Sequence, residues 1–163
     1  MRMTQGQAGQ RHRWLMRDLD TMGPVDYLVV EFPEGRLTGE GFPLLVDLVD
    51  RGIIRILDLV FVGKRADGTV EGLELTDLDQ DGTLDLLMFE GVSTGLVDAD
   101  DLAEAADVLS PGSIAAILVY ENRWAAPLAS ALRRGGGQLV AGGRIPVQAL
   151  LAAVERIDAE ASR

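Results

Sequence analysis

The stretch Asp77-Leu78-Asp79-Gln80-Asp81-Gly82-Thr83-Leu84-Asp85 carries the sharpest chemical signal in the chain. Carboxylates at alternate positions followed by glycine make the first half of a calcium loop. The side chains can converge on one hard cation while the glycine allows the turn. Asp85 even falls where a further oxygen ligand is expected. The closing position, which needs a bidentate glutamate, is instead Met88. The preceding Val70–Leu75 also alternates like a strand, whereas a calcium loop is entered from a helix. The run therefore reads first as an acidic, solvated connection, and no metal and no cofactor is assigned to it.

A second cluster is Tyr120-Glu121-Asn122-Arg123-Trp124, where an apolar strand delivers polar and aromatic side chains to a strand–helix junction. Such junctions often hold ligands, which makes Glu121, Asn122, Arg123 and Trp124 the candidate ligand-binding residues. The plainer expectation is structural: Asn122 caps the helix, Glu121 pairs with Arg123, and Trp124 packs as a lid on the core. Asp58 interrupts an apolar strand. If it points inward it needs a partner, with Arg36 or Arg144 as mates; otherwise it faces solvent on an open sheet face.

Catalytic residue types are scarce. The chain has no cysteine, which removes thiol chemistry, disulfides and zinc-ribbon sites together. His12 is the only histidine and lies in the N-terminal stretch, so neither a histidine metal triad nor a Ser-His-Asp arrangement is expected. The runs Gly135–Gly137 and Gly142-Gly143 lack the spacing and the lysine of a phosphate loop. Arg144, just before a helix start, is suited to a small anion, although turn chemistry accounts for the glycines. No acid and base are singled out among the carboxylates, and the chain reads as a non-enzyme.

With 163 residues and a formal net charge of −11, the chain is long enough for one core without staples. A body this acidic repels phosphate backbones and anionic bilayers, so neither nucleic acid nor membrane is the expected partner. No run of about 20 apolar residues is present. The reading is an acidic, cytoplasmic chain: residues 1–21 form a disordered tail, 22–158 a single α+β domain, and 159–163 a C-terminal tail. Met22-Gly23 stands directly before the first strand pattern, where the fold and the natural start are placed.

Val25 to Phe32 is β-branched and aromatic-rich and stops at Pro33. Phe42, Leu45, Val46 and Val49 then share one helical face, closed by Gly52. Ile53 to Val62 is a long apolar run. Ala66-Asp67-Gly68-Thr69 reads as a hairpin turn into the alternating Val70–Leu75. Asp98 caps the next helix, with Asp100 and Asp101 in its first turn and Val97 stapling onto Leu102. Gly112 to Tyr120 suits a strand covered on both faces. Trp124 to Arg134 is a helix ended by the glycine run, Gln138 to Ala141 a short strand, and Pro146 starts a last helix carrying Val147, Leu150, Leu151, Val154 and Ile157. The order predicts a ferredoxin-like βαββαβ sheet with two helices on one face, followed by a C-terminal α-β-α extension.

Three segments carry a resemblance: MGPVDYLVVEFP at Met22–Pro33, RILDLVFV at Arg55–Val62, and YENRWAAPLASALRRGGGQLVAGGRIP at Tyr120–Pro146. They resemble a family of small actinobacterial proteins of unknown function. That family is similar in turn to stress-associated bacterial proteins, some with a Gly-rich membrane insertion that this chain lacks. The resemblance spans Met22 to about Val154 and implies the fold and a cytoplasmic place, but no catalytic residue. Together these readings favour a non-enzymatic interaction or assembly domain, a homo-oligomer or the binder of a protein partner. A small-ligand or calcium-binding module, using 77–85 or 120–124, comes second, and an enzyme of unknown class third.

Overall fold

The structure, a computed structural model, describes residues 19–35, 37, 39–73 and 95–162. Its strands are β1 (Val25–Phe32), β2 (Ile54–Lys64), β3 (Val70–Leu73) and β4 (Ile114–Asn122). Its helices are α1 (Gly41–Asp50), α2 (Ala99–Asp107), α3 (Ala126–Arg134) and α4 (Val147–Ala161). The chain is thus α+β, and the last helix runs past 158 into the expected tail.

The strands form one sheet in the order β1-β4-β2-β3, and every neighbouring pair is antiparallel. β1 and β2 consequently run parallel with β4 inserted between them, and β3 and β4 run parallel with β2 between. Two split β-α-β units do interleave, but β4 and β2 hold the centre where the ferredoxin-like order puts β1 and β3. The apolar runs explain this. Ile53–Val62 and Gly112–Tyr120 are apolar on both faces, and only a central strand buries both. β3, with its four residues, is left to an edge.

Those two-faced strands also require two covers. Phe61 and Ala116 lie opposite each other on one face, where the Phe61 ring meets Phe42 of α1 at 6.3 Å between centroids. Val62, Ala115 and Ile117 lie on the other face and pack with Leu109 and with Val97, Leu102 and Ala105 of the α2 region. Among the described residues one helix therefore packs on each face, in place of two helices on one.

Local chemistry sets the helix ends. Asp98 and Asp101 form a reciprocal capping box at α2, with Asp101 N–H to Asp98 Oδ1 at 3.0 Å and the return bond also 3.0 Å. Gly52, at φ +67°, ends α1 in a Schellman motif: Ile53 N–H donates to Leu48 O and Gly52 N–H to Val49 O. Gly136 repeats the device after α3. Gln138–Ala141 is not a strand, since Leu139 and Val140 are 88% and 97% exposed and pair with no strand among the described residues. A short apolar segment becomes a strand only beside another one.

The single lysine closes α2. Lys64 Nζ donates to Ala106 O at 3.0 Å and Leu109 O at 3.1 Å, placing a cation where the helix dipole is negative. Lys64→Met is expected to cost about 1–2 kcal/mol by loss of these charge-assisted bonds. The urea midpoint should fall with an unchanged slope, and Lys64→Arg should retain part of the stability.

Candidate functional site

The end of β4 is a knot that holds the segment entering β1. Asn122 N–H donates to Pro24 O at 2.8 Å, and its side-chain amide donates to Asp26 Oδ2 at 2.9 Å. The Asn122 Oδ1 accepts from Trp124 Nε1 at 3.2 Å, and the residue makes no side-chain cap. Gly23 lies so close that a Cβ there would stand 2.2 Å from Asn122 O, which only glycine permits. Arg133 of α3 completes the knot by donating to the carbonyls of Met22 and Asp20.

Buried Glu121 lies at the centre of this knot. Its Oε1 accepts the Gly23 N–H at 3.0 Å, and its Oε2 lies 2.6 Å from Arg55 Nη2. The register sets Arg55 directly opposite Glu121, so the ion pair runs across β2 and β4 and not along the chain to Arg123. Trp124 is not a lid: it is 68% exposed. Of the four candidate ligand residues, Glu121 and Asn122 turn to internal partners while Arg123 and Trp124 face outward. The Arg144 Nη2 donates to Tyr120 Oη at 2.6 Å, so Arg144 is not the mate of Asp58.

Asp58 is fully buried and accepts the Val97 N–H at 2.9 Å, just before the α2 cap. It points into the core, and its role is to position a helix start. Arg36, His12 and the acidic stretch Asp77–Asp85 lie outside the described residues. Sequence reasoning missed the role of Glu31. The Ser110 N–H donates to its Oε1 at 2.8 Å, and this bond, with the Ser113 hydroxyl and Lys64, holds its carboxyl below the usual range.

A second feature, not visible in the sequence, is an open groove between edge strand β1 and α2. Val25, Tyr27 and Val29 alternate onto one face of β1, level with Ile117 and Val119 of β4. Leu96, Val97 and Ala105 form the opposite wall, and Asp101 and Glu104 supply carboxylates. The cavity measures about 600 Å³, and Tyr27 is 73% exposed within it. An apolar floor with acidic groups suits an apolar segment that carries positive charge.

The model of a family of unknown function, DUF6325, matches residues 21–162. The chain belongs to that family. All four described strands and all four described helices of this DUF6325 member lie within the matched stretch, as do the knot and the groove. No curated protein and no solved structure matches it. Among the described residues, no helix is long and apolar enough to cross a membrane.

Proposed function

We propose that this DUF6325 chain is a non-enzymatic interaction and assembly domain of the cytoplasm. The observation that carries the reading is the groove beside β1. An edge strand offers outward backbone groups, and beside this one lie the uncovered side chains Val25, Tyr27 and Val29. An extended protein segment added along β1 would satisfy the backbone and bury those side chains at once. Asp101 and Glu104 favour a segment with interspersed lysine or arginine. The net charge of −11 weighs against nucleic acid and anionic membranes as partners. The reading includes a stress-associated setting, with the chain itself as one partner.

The groove is tested with a synthetic peptide of alternating valine and lysine, titrated by calorimetry against the full chain. Saturable binding is expected, weakened by about tenfold or more in Tyr27→Asp. Binding that ignores Tyr27→Asp, or no saturable binding, would remove the reading. A small-ligand reading keeps one observation in its favour, the outward-facing Arg123 and Trp124 at the junction.

A further inference from the structure

α4 shows its apolar side to solvent: Val147, Leu150, Val154 and Ile157 are each more than half exposed. Among the described residues no other element makes extensive contact with it. These residues recur at spacings of three, four and three, and Ala161 follows after four more. That 3-4 alternation is the a/d seam of paired helices, and the exposed Leu151 flanks it. A helix of 15 residues is also marginal in water without tertiary support. The seam therefore needs a helical partner, and its charges indicate which.

The first turn of α4 has no acidic residue and the last turn has no basic one. Asp158 and Glu160 stand instead at the end where the helix dipole is already negative. An isolated helix is disfavoured by that arrangement, whereas an antiparallel pair uses it. When a and d positions face each other across a two-fold axis, Val147 meets the partner's Ile157 and Leu150 meets the partner's Val154. The same register sets Glu160 opposite the partner's Arg144 and Asp158 beside the partner's helix start. Only one of the five N–H donors of Arg144 goes to Tyr120. A stable interface takes roughly 1,200 Å² or more. Leu139, Val140 and Ile145, in the segment that leads into α4, are exposed as well.

We propose that α4 pairs antiparallel with α4 of a second copy of this chain, joined by the Val147–Ile157 and Leu150–Val154 layers and by Arg144–Glu160 contacts. The inference rests on the assembly reading above and assigns self-association to α4, which leaves the groove for another segment. Sedimentation velocity of the full chain tests it. The native chain should be a dimer, and the double substitution Leu150→Asp, Val154→Asp should make it a monomer with an unchanged near-UV spectrum. Tyr27→Asp should remain a dimer. Glu160→Arg should weaken dimerisation by about tenfold, although it suits the helix's own dipole, and adding Arg144→Glu should restore it. A native chain that is monomeric at every concentration would overturn the self-association in both readings. A dimer that survives the double aspartate substitution would overturn only this one, and failure of the charge swap would rule out the antiparallel arrangement.

Discussion

Glu121→Ala is expected to destabilise the chain by about 3 kcal/mol, the low end of the range for breaking a buried ion pair. The reasoning starts from desolvation. Glu121 is buried, and its charge is compensated by Arg55 Nη2 at 2.6 Å and the Gly23 N–H at 3.0 Å. Removing it takes away the carboxylate that faces the Arg55 guanidinium and orphans the Gly23 backbone donor. Arg55 keeps 25% of its side-chain surface in water, which lets it rehydrate in part and keeps the cost from rising further. Urea unfolding should show a lower midpoint with the slope preserved, and the Gly23 amide should exchange faster. Replacing both partners, by Arg55→Met with Glu121→Leu, should recover part of the loss, because apolar contact then replaces the cross-strand pair while the Gly23 N–H stays without its acceptor. If the double variant is as unstable as the sum of the singles, the pair is not the source of the effect.

Asp58→Ala should cost about 2–4 kcal/mol, from a lost buried hydrogen bond and the cavity left behind. Asp58 is fully buried and receives the Val97 N–H, one residue before the α2 cap. Its loss unties the start of α2, whose Leu102 and Ala105 cover one face of the sheet. Amide exchange should therefore accelerate in residues 97–102 more than in α1, which covers the opposite face. Asp58→Asn keeps an oxygen of the same shape and should be the milder change. Equal exchange rates in both helices of the alanine variant would mean that Asp58 is general core filling and does not position α2.

The parts of the fold legible in the sequence are those whose partners lie within a few residues. Asp98 and Asp101 are three apart, so their reciprocal cap can be read from spacing, as can Gly52 and Gly136 at the helix ends. The hairpin of Ala66–Thr69 is of the same kind, with the Thr69 N–H on Asp67 Oδ1 at 2.8 Å and Gly68 at φ +86°. Expectations failed where the partner is remote. Glu121 was paired with Arg123 by proximity in sequence, yet the cross-strand register sets it against Arg55. Gln138–Ala141 has strand composition, but composition cannot provide the neighbouring strand.

At Tyr120–Trp124 the sequence indicated a place and missed what happens there: the junction's buried carboxylate and its asparagine hold the chain's own N-terminal segment. The groove had no signal of its own. Val25, Tyr27 and Val29 alternate as any strand would, and only the edge position of β1 leaves them uncovered.

By itself, then, the sequence determined where most of the described elements lie, the turns and caps, and the two strands apolar enough for the sheet centre, because short-range bonds and side-chain periodicity depend little on the rest of the fold. Tertiary structure alone decided the strand order, the Arg55–Glu121 pairing, the burial of Asp58, the groove and the uncovered seam of α4. Each of these depends on which distant segments meet and in what register. A one-residue slip in register turns every side chain of a strand to the other face, so such features belong to the assembled sheet and not to any stretch of chain.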